Sequence, residues 1–397
     1  MSSIEKRTRN GRTRWYVRYR DPTGEQRNKV FDRRIDAERY LTTIESAKLS
    51  GVYIDPARSR VTVGEWTDRW LAGQAHLKPT TRERYEGIVR RHVRARWGTT
   101  RLADVTHADV QSWVTSLAED LEPATVRKVH RVLSLILTLA VKDGRLIRNP
   151  AADINLPRVS TSEQRYLTHE QVAMLAREAV GPVDPSRHRR PAERASDQYR
   201  LIVLFLAYTG VRFGEMAALR VRRVDFLRRR ATIAESVTLV GAKQVWGTPK
   251  GHERRDVPVP RFLIEELAQH VERKLPDDLV FSGVRGGGAL RVPVFRRAAF
   301  DRAAAAIGIP GLHPHELRHT AASLAIAAGA DVKVVQKMLG HKSATMTLDQ
   351  YGHLFDDRLD DVADRLDAAA RATDVYPLCT RPNIVALDDV RGRCTGQ

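Results

Sequence analysis

The sequence predicts a multidomain protein with a small three-stranded β-sheet plus helix N-terminal domain, an all-α second domain and a mixed α+β, mainly helical, third domain. Three observations carry this. Residues 1–57 alternate at period two between turn signals, residues 62–159 carry only helical apolar stripes, and residues 165–372 place strand signals between helices. A chain of 397 residues has room for such a division at the usual ~100–200 residues per domain.

In the first domain Asn10-Gly11 signals a hairpin, and Trp15-Tyr16-Val17-Arg18-Tyr19-Arg20 alternates as a strand. Asp21-Pro22-Thr23-Gly24 then turns the chain toward a third strand over Gln26 to Phe31. Ile35, Ala37, Tyr40, Leu41 and Ile44 recur at helical spacing, and Gly51 stops that helix. Up to residue 50 there are 13 basic and 7 acidic side chains, with Arg12, Arg14, Arg18, Arg20 and Arg27 on or beside the strands. A basic sheet of this kind can enter a major groove; the plainer reading is a solvated surface.

The second domain opens with a helix from Val63 to Trp70. Lys78-Pro79-Thr80-Thr81 introduces another, with Thr81 as its cap. In that helix Tyr85, Ile88, Val89 and Val93 form an apolar stripe. Seven basic residues against two acidic ones between Lys78 and Trp97 lie mostly off the stripe, so Arg84, Arg91 and Arg94 are candidate phosphate contacts. Helices over Ala108 to Leu117 and Ala124 to Val141 complete the bundle. Gly144 and Asn149-Pro150 end it, and Pro157 with Ser160-Thr161-Ser162-Glu163 reads as an interdomain linker.

The third domain starts with a capping box, Thr168 with Gln171, and continues through Leu201 to Tyr208, a helix apolar on all sides. Strands are expected at Ala231 to Val240, Lys243 to Thr248 and Arg255 to Val259, followed by more helices; the polar Arg187 to Arg194 reads as a loop. Residues 373–397 form a tail without periodicity, and they hold Cys379 and Cys394, the only cysteines. That cysteine usage fits a reducing cytoplasm, as does an N-terminus without an apolar export segment. The longest apolar stretch falls far short of the ~20 residues that span a bilayer, so no membrane partner is expected.

Charge points to a polyanion. There are 67 Lys and Arg against 48 Asp and Glu, a net charge of +19, and arginine, the better bidentate phosphate ligand, dominates. Within this background Arg212 lies between Gly210 and Gly214, with Glu215 three residues on to hold it. Lys250 sits at the tip between two expected strands, where a lysine can protonate a leaving oxygen but is more often merely solvated. His315-Glu316-Leu317-Arg318-His319 admits two readings. As His-Glu-x-x-His it matches a helical zinc site; alternatively His315 and Arg318, three apart on one face, join a proton-moving group to a second phosphate-binding arginine, with His319 a packed neighbour. Leu339-Gly340-His341 and Asp349-Gln350-Tyr351 add a further histidine and a nucleophile able to form a phosphate ester.

The order Arg, Lys, His-x-x-Arg, His, Tyr, with Thr-Gly-Val-Arg, His-Glu-Leu-Arg-His-Thr and Leu-Gly-His written almost in full, resembles the tyrosine recombinase (phage integrase) family. The resemblance is dense over residues 165–372 and looser over the helical domain, which it makes a core-binding (SAM-like) domain, and over the basic sheet, which it makes an arm-type DNA-binding domain. It implies that Tyr351 forms a 3′-phosphotyrosine and that Arg212 and Arg318 bind the non-bridging oxygens. His315 would assist proton transfer at the tyrosine, Lys250 (or, in its place, Lys243) would protonate the 5′-hydroxyl, His341 would hydrogen-bond the phosphate and Glu215 would support the site. Two departures stand out: the ten-residue step from His341 to Tyr351 is one longer than the commonest form, and Glu316 stands where aspartate is frequent. The implied partners are double-stranded DNA at attachment sites, further copies in a homotetramer, a host DNA-bending factor and a directionality factor. No nucleotide cofactor is expected, because a phosphotyrosine conserves the energy of the broken phosphodiester, and no metal, because two guanidiniums, a lysine and two histidines can meet the charge that develops on a pentavalent phosphate.

Overall fold

The computed structural model describes residues 2–9, 12–21, 24–49, 60–160, 165–180, 191–249, 251, 254–283, 287–352 and 359–372. The Asn10-Gly11 and Pro22-Thr23 turn signals, Gly51, the linker residues Thr161-Ser162-Glu163, the first half of the Arg187 to Arg194 segment, Lys250 and the tail after residue 372 lie outside them. Contacts divide the chain into two units, residues 1–163 with 239–245, and residues 164–238 with 246–397.

The first unit begins with an antiparallel sheet β1(Ser3–Arg9), β2(Arg12–Arg20) and β3(Gln26–Phe31), followed by α1(Arg34–Leu49). Alternation along β2 sorts its side chains by face. Val17 and Tyr19 are buried with Ala37 and Ile44 of α1, and Trp15 packs against that cluster. Arg12, Arg14, Tyr16, Arg18 and Arg20 share the opposite parity. In the β1–β2 register Arg7 stands across from Arg14 and Arg9 across from Arg12, which enlarges the basic face.

The helical part of this unit runs α2(Val63–Ala72), α3(Pro79–Ile88), α4(Arg94–Trp97), α5(His107–Asp120) and α6(Pro123–Lys142). Thr62 and Glu65 form a reciprocal capping box that starts α2, and Thr106 caps α5. For α3 the cap position is Lys78, with Pro79 in the first turn, so Thr81 lies inside the helix; the fixed φ of proline starts the helix earlier than the threonine would. Between α3 and α4 a wide π turn over Val89–Val93 keeps Ile88, Val89, Val93 and Trp97 in the core. Trp66 donates its indole N–H to Ile136 O (3.0 Å) beside fully buried Leu133 and Ile136 of α6. Truncating Leu133 to alanine there would cost ~2–5 kcal/mol.

From residue 165 on the elements are α7(His169–Val180), α8(Pro191–Thr209), α9(Phe213–Met216), the strands β4(Val224–Asp225), β5(Arg230–Ile233), β6(Ser236–Val240), β7(Lys243–Gly247) and β8(Arg255–Pro258), then α10(Arg261–Val271), α11(Val292–Phe295), α12(Asp301–Ala306), α13(Glu316–Ala327), α14(Val332–Leu339), α15(Ala344–Tyr351) and α16(Leu359–Ala372); all belong to the second unit except residues 239–245 of β6, β7 and the turn between them. The Thr168–Gln171 capping box forms as expected, with both reciprocal bonds present at 3.2 and 3.0 Å. Residues 201–207 of α8 are buried on every side and make the centre of the unit's core. Pro191 already belongs to α8, so the loop expected over Arg187 to Arg194 does not extend through its last residues.

The strands pair differently from expectation. One sheet has the order β4-β5-β8 and a separate hairpin joins β6 to β7. The single strand expected over Ala231 to Val240 breaks at Ala234-Glu235, because β5 pairs with β8 while β6 turns back on β7 through Gly241. β7 and β8 therefore belong to two different sheets and do not pair with each other. Among the described residues no helix is long and apolar enough to cross a membrane.

Candidate active site

Arg212 is set at the N-cap of α9 by the residues around it. Gly210, which ends α8, has φ +64, and a Cβ there would lie 2.7 Å from Leu339 Cδ2 and 3.1 Å from Ala321 Cβ. Only glycine allows both the left-handed turn and the close approach of the two helices. Arg212 then binds Glu215 twice, its backbone N–H donating to Oε2 (3.0 Å) and its Nη1 to Oε1 (2.8 Å).

Glu215 is 1% exposed and also receives Arg255, whose Nη1 donates to Oε1 (3.2 Å) and Nη2 to Oε2 (2.5 Å). Burial alone would raise its pKa. The hydrogen bond and charge of Arg255, together with the N–H and charge of Arg212, outweigh that and hold the carboxyl below its usual range. Arg255 is itself buried, and its Nε donates to Met338 O (3.1 Å) at the end of α14. It packs closely under Gly340, where a Cβ would lie 3.0 Å from Arg255 Cδ. One carboxylate thus ties the Arg212 turn to the segment that carries His341.

Arg318 is 4% exposed on α13 and is aimed by two main-chain carbonyls, Nη1 donating to Gly210 O (2.7 Å) and Nη2 to Leu339 O (2.6 Å). Burial, then the charges of Arg212 and Arg255, pull its pKa down to about 9, against the opposing pull of Glu215 and Tyr351. It remains a cation at neutral pH. Three guanidiniums therefore face one carboxylate, an excess of positive charge that an entering phosphodiester would relieve.

Gly340 caps α14 in the left-handed conformation (φ +67), which sends the chain sharply toward His341. Gln336 grips His341 at both ends of its peptide, accepting from its N–H (3.1 Å) and donating to its carbonyl (3.1 Å). Nδ1 lies 3.0 Å from the hydroxyl of buried Thr347, which fixes the ring through that nitrogen. Burial, followed by Arg318, Arg212 and Arg255, lowers its pKa to about 4, so the ring is neutral at pH 7.

Tyr351 ends α15, a helix capped by Ser343, and is fully buried. Its ring lies parallel to that of His341 at 6.5 Å. Burial pushes its pKa up to about 12 even though Arg318 pulls the other way, so the hydroxyl holds its proton at neutral pH. That hydroxyl is 2.8 Å from Nδ1 of His319. His319, expected from sequence to be a packed neighbour, thus meets the tyrosine directly. His315 occupies the N-cap position of α13, with its ring edge-on to that of His319 at 5.4 Å. In place, the His-Glu-x-x-His run sets one histidine at a helix start and the other on a tyrosine. Glu316 meanwhile receives Arg165 (2.9 Å) and the N–H of His313 (2.6 Å).

The residues 165–358 match the phage integrase family, and residues 62–118 match the phage integrase N-terminal SAM-like domain. The tyrosine recombinase XerC of Corynebacterium efficiens is 30% identical over 264 residues, which is 65% of this chain and 76% of that protein. The chain belongs to the phage integrase family of tyrosine recombinases. The integrase of Mycobacterium phage FRAT1 is 28% identical over 351 residues, 86% of this chain and 96% of the phage protein. The fold is that of a lambda integrase seen as a tetramer bound to a Holliday junction, with a TM-score of 0.57 and 20% identity over 86% of this chain and 96% of that one.

Within this recombinase Arg212, Glu215, Arg318, His341 and Tyr351 come together in the second unit. Lys250 lies outside the described residues, and Lys243, exposed on β7, belongs to the segment grouped with the first unit. The expected DNA contacts are all in the first unit. Arg14 and Arg20 are exposed on β2, and Arg18 is partly exposed there and paired with Glu5 (3.3 Å). Arg84, Arg91 and Arg94 are exposed on α3, the π turn and α4, with Arg94 paired to Asp68. Sequence reading missed Arg255 and the contact made by His319. Arg255 left a signal: it shares parity with Val257 on β8, so a charge stands on the buried face of a strand and requires a buried partner.

Proposed function

We propose that this chain is a site-specific DNA recombinase that cuts and rejoins duplex DNA through a 3′-phosphotyrosine on Tyr351, integrating and excising a phage or other mobile element. The observation that carries this reading is the cluster in which Arg212 and Arg255 hold a buried carboxylate, Arg318 adds a third charge, and His341 and Tyr351 both stand within the field of Arg318. Its positive charge is fixed before any ligand enters, so a phosphate acquiring charge in a pentavalent transition state meets donors already in place.

In the proposed cycle Arg212 and Arg318 hold the non-bridging oxygens and His341, neutral at pH 7, hydrogen-bonds the phosphate. Tyr351 attacks phosphorus, His315 assists proton transfer at the tyrosine, and Lys250, or Lys243 in its place, protonates the departing 5′ oxygen. The ester keeps the energy of the broken bond, so rejoining to a new 5′-hydroxyl needs no nucleotide. Tyr351 is fully buried, so its hydroxyl has to become accessible to the scissile phosphate before it can attack.

Residues 1–57 are assigned to accessory arm sites, 62–159 to the core site, 165–372 to catalysis and 373–397 to a tail. Homotetramer assembly on two paired sites is proposed by analogy with the lambda integrase tetramer on its Holliday junction. The exposed Val362 and Leu366 of α16 are proposed to dock on a neighbouring protomer. A host DNA-bending factor and a directionality factor complete the proposal.

The test is strand exchange between two duplexes carrying the element's own junction sequences, in excess chelator and without nucleotide. Joined products from the parent chain and none from Tyr351→Phe are expected. Products that depend on a divalent metal, or that persist in Tyr351→Phe, would overturn the proposal.

A further inference from the structure

We infer that His319 is a catalytic residue of this chain, the base that takes the proton of Tyr351 as the tyrosine attacks phosphorus and returns it when the strand is rejoined. The inference rests on the recombinase reading above and adds to it the group that activates the nucleophile. It starts from a contact with the reacting atom itself, Nδ1 of His319 at 2.8 Å from the tyrosine hydroxyl.

The surroundings select the tautomer. Gln350, next to Tyr351 on α15, directs its Nε2 at the same Nδ1 (3.2 Å). An amide NH2 group can only donate, so Nδ1 is an acceptor, the ring carries its proton on Nε2, and the phenol, which can donate or accept, is then the donor to Nδ1. An acceptor nitrogen facing a protonated phenol is the ground-state arrangement that proton abstraction requires.

The charges facing His319 are known from each packed element. On α13 itself stand Arg318, Glu316 and the edge-on ring of His315; α15 contributes Tyr351, and the turn after α14 contributes His341. Burial, then Arg318, lowers the pKa of His319, while Glu316 raises it, so the ring is neutral and able to accept at pH 7. A phosphodiester bound among Arg212, Arg318 and His341 adds negative charge to the same cluster and makes the imidazolium easier to form.

The step balances. The tyrosine oxygen forms its bond to phosphorus, the bond from phosphorus to the 5′ oxygen breaks, and the 5′ oxygen takes a proton from the lysine assigned above. The phenolic proton passes to Nδ1 and leaves an imidazolium. In rejoining the 5′-hydroxyl attacks and returns its proton to that lysine, the bond from phosphorus to the tyrosine oxygen breaks, and His319 gives its proton back to the tyrosine. His319 thereby takes the direct part at the tyrosine, and His315, edge-on to it at 5.4 Å, assists from behind.

The experiment is single-turnover cleavage of a duplex spanning the element's junction by the parent chain, His319→Asn, His319→Ala and Tyr351→Phe, with folding checked by circular dichroism. Two substrates are used, one with the natural scissile phosphate and one with sulfur in place of the bridging 5′ oxygen, which departs without needing a proton. Both His319 variants are expected to cleave about 10²–10⁴-fold more slowly at neutral pH, and added imidazole is expected to restore part of the His319→Ala rate. Sulfur should not rescue them, since the lost proton transfer is on the tyrosine side. Their rates should climb with pH across the alkaline range, because the ionised fraction of Tyr351, whose pKa burial pushes up to about 12, grows about tenfold per pH unit below that value. Variants that cleave within about threefold of the parent, or faster because the histidine only restrains the tyrosine, would overturn the inference. So would a defect of equal size at every pH that imidazole leaves unchanged. If Tyr351→Phe also forms the covalent product, the recombinase reading itself fails, whatever His319 does.

Discussion

The basic face of the N-terminal sheet and the arginine cluster of the second unit use the same side chain in opposite ways. On β2, Arg14 pairs with Asp32 at 3.6 Å with both side chains more than half exposed, and Arg18 pairs with Glu5 while 38% exposed. In the second unit Arg318 and Arg255 are 4% and 9% exposed, and each donates at least two hydrogen bonds to fixed acceptors. Charges in water are screened, so each contributes little and they act as a sum. Buried charges are held in one geometry, so removing any one of them changes the site. The first arrangement suits holding a polyanion along its length, and the second suits recognising one phosphate.

The sharpest way to break this contrast is Arg318→Lys. The charge survives, but an ammonium cannot reach two carbonyls and present a planar face to a phosphate, so cleavage should fall by about 10²–10³-fold in single-turnover assays. Retention of most of the rate would mean that charge alone matters, as on the sheet.

Glu215→Gln comes next. It leaves Arg255 buried without its counter-charge, which should destabilise the fold by about 3–5 kcal/mol in urea unfolding monitored by circular dichroism. A loss no larger than that of a surface ion pair would make the buried carboxylate dispensable.

A smaller effect is expected from pH. His341 titrates near 4 in the folded chain and near 6.5 when unfolded, so the unfolded state binds the extra proton between those values. Its contribution to stability is complete above about pH 6.5 and falls away toward about pH 4. Thermal melts of the DNA-free chain should show that slope, and His341→Gln should flatten it.

The smallest change per residue is expected on the sheet. Arg14→Ala, Arg18→Ala and Arg20→Ala should each leave unfolding nearly unchanged. Each should also make arm-site binding less salt-dependent, lowering the log–log slope by about 0.9 for every phosphate that is no longer neutralised. Cleavage of an isolated core site should not respond. If it does, the sheet takes part in catalysis and the contrast fails.

What was legible in the sequence follows from the range of the interactions. Arg318, His341 and Tyr351 stand inside short words whose neighbours do local work, such as the left-handed cap at Gly340, and the period-two pattern of β2 fixes which arginines share a face. Strand pairing was less legible, because whether β8 joins β7 or β5 depends on residues over twenty positions away. The same limit hid Arg255, whose partner Glu215 is 40 residues distant, and His319, whose partner Tyr351 is 32 residues distant. Thr81 was misjudged for a local reason, since Pro79 starts the helix first.

The most direct measurement of the central claim is covalent trapping. The parent chain and Tyr351→Phe are incubated with labelled duplex spanning the element's junction in excess chelator, and the protein-linked DNA is digested and mapped. The account predicts an adduct on the peptide containing Tyr351, joined through a 3′ phosphate and absent from the variant. An adduct on another residue, a 5′ linkage, or the same adduct in Tyr351→Phe would contradict it.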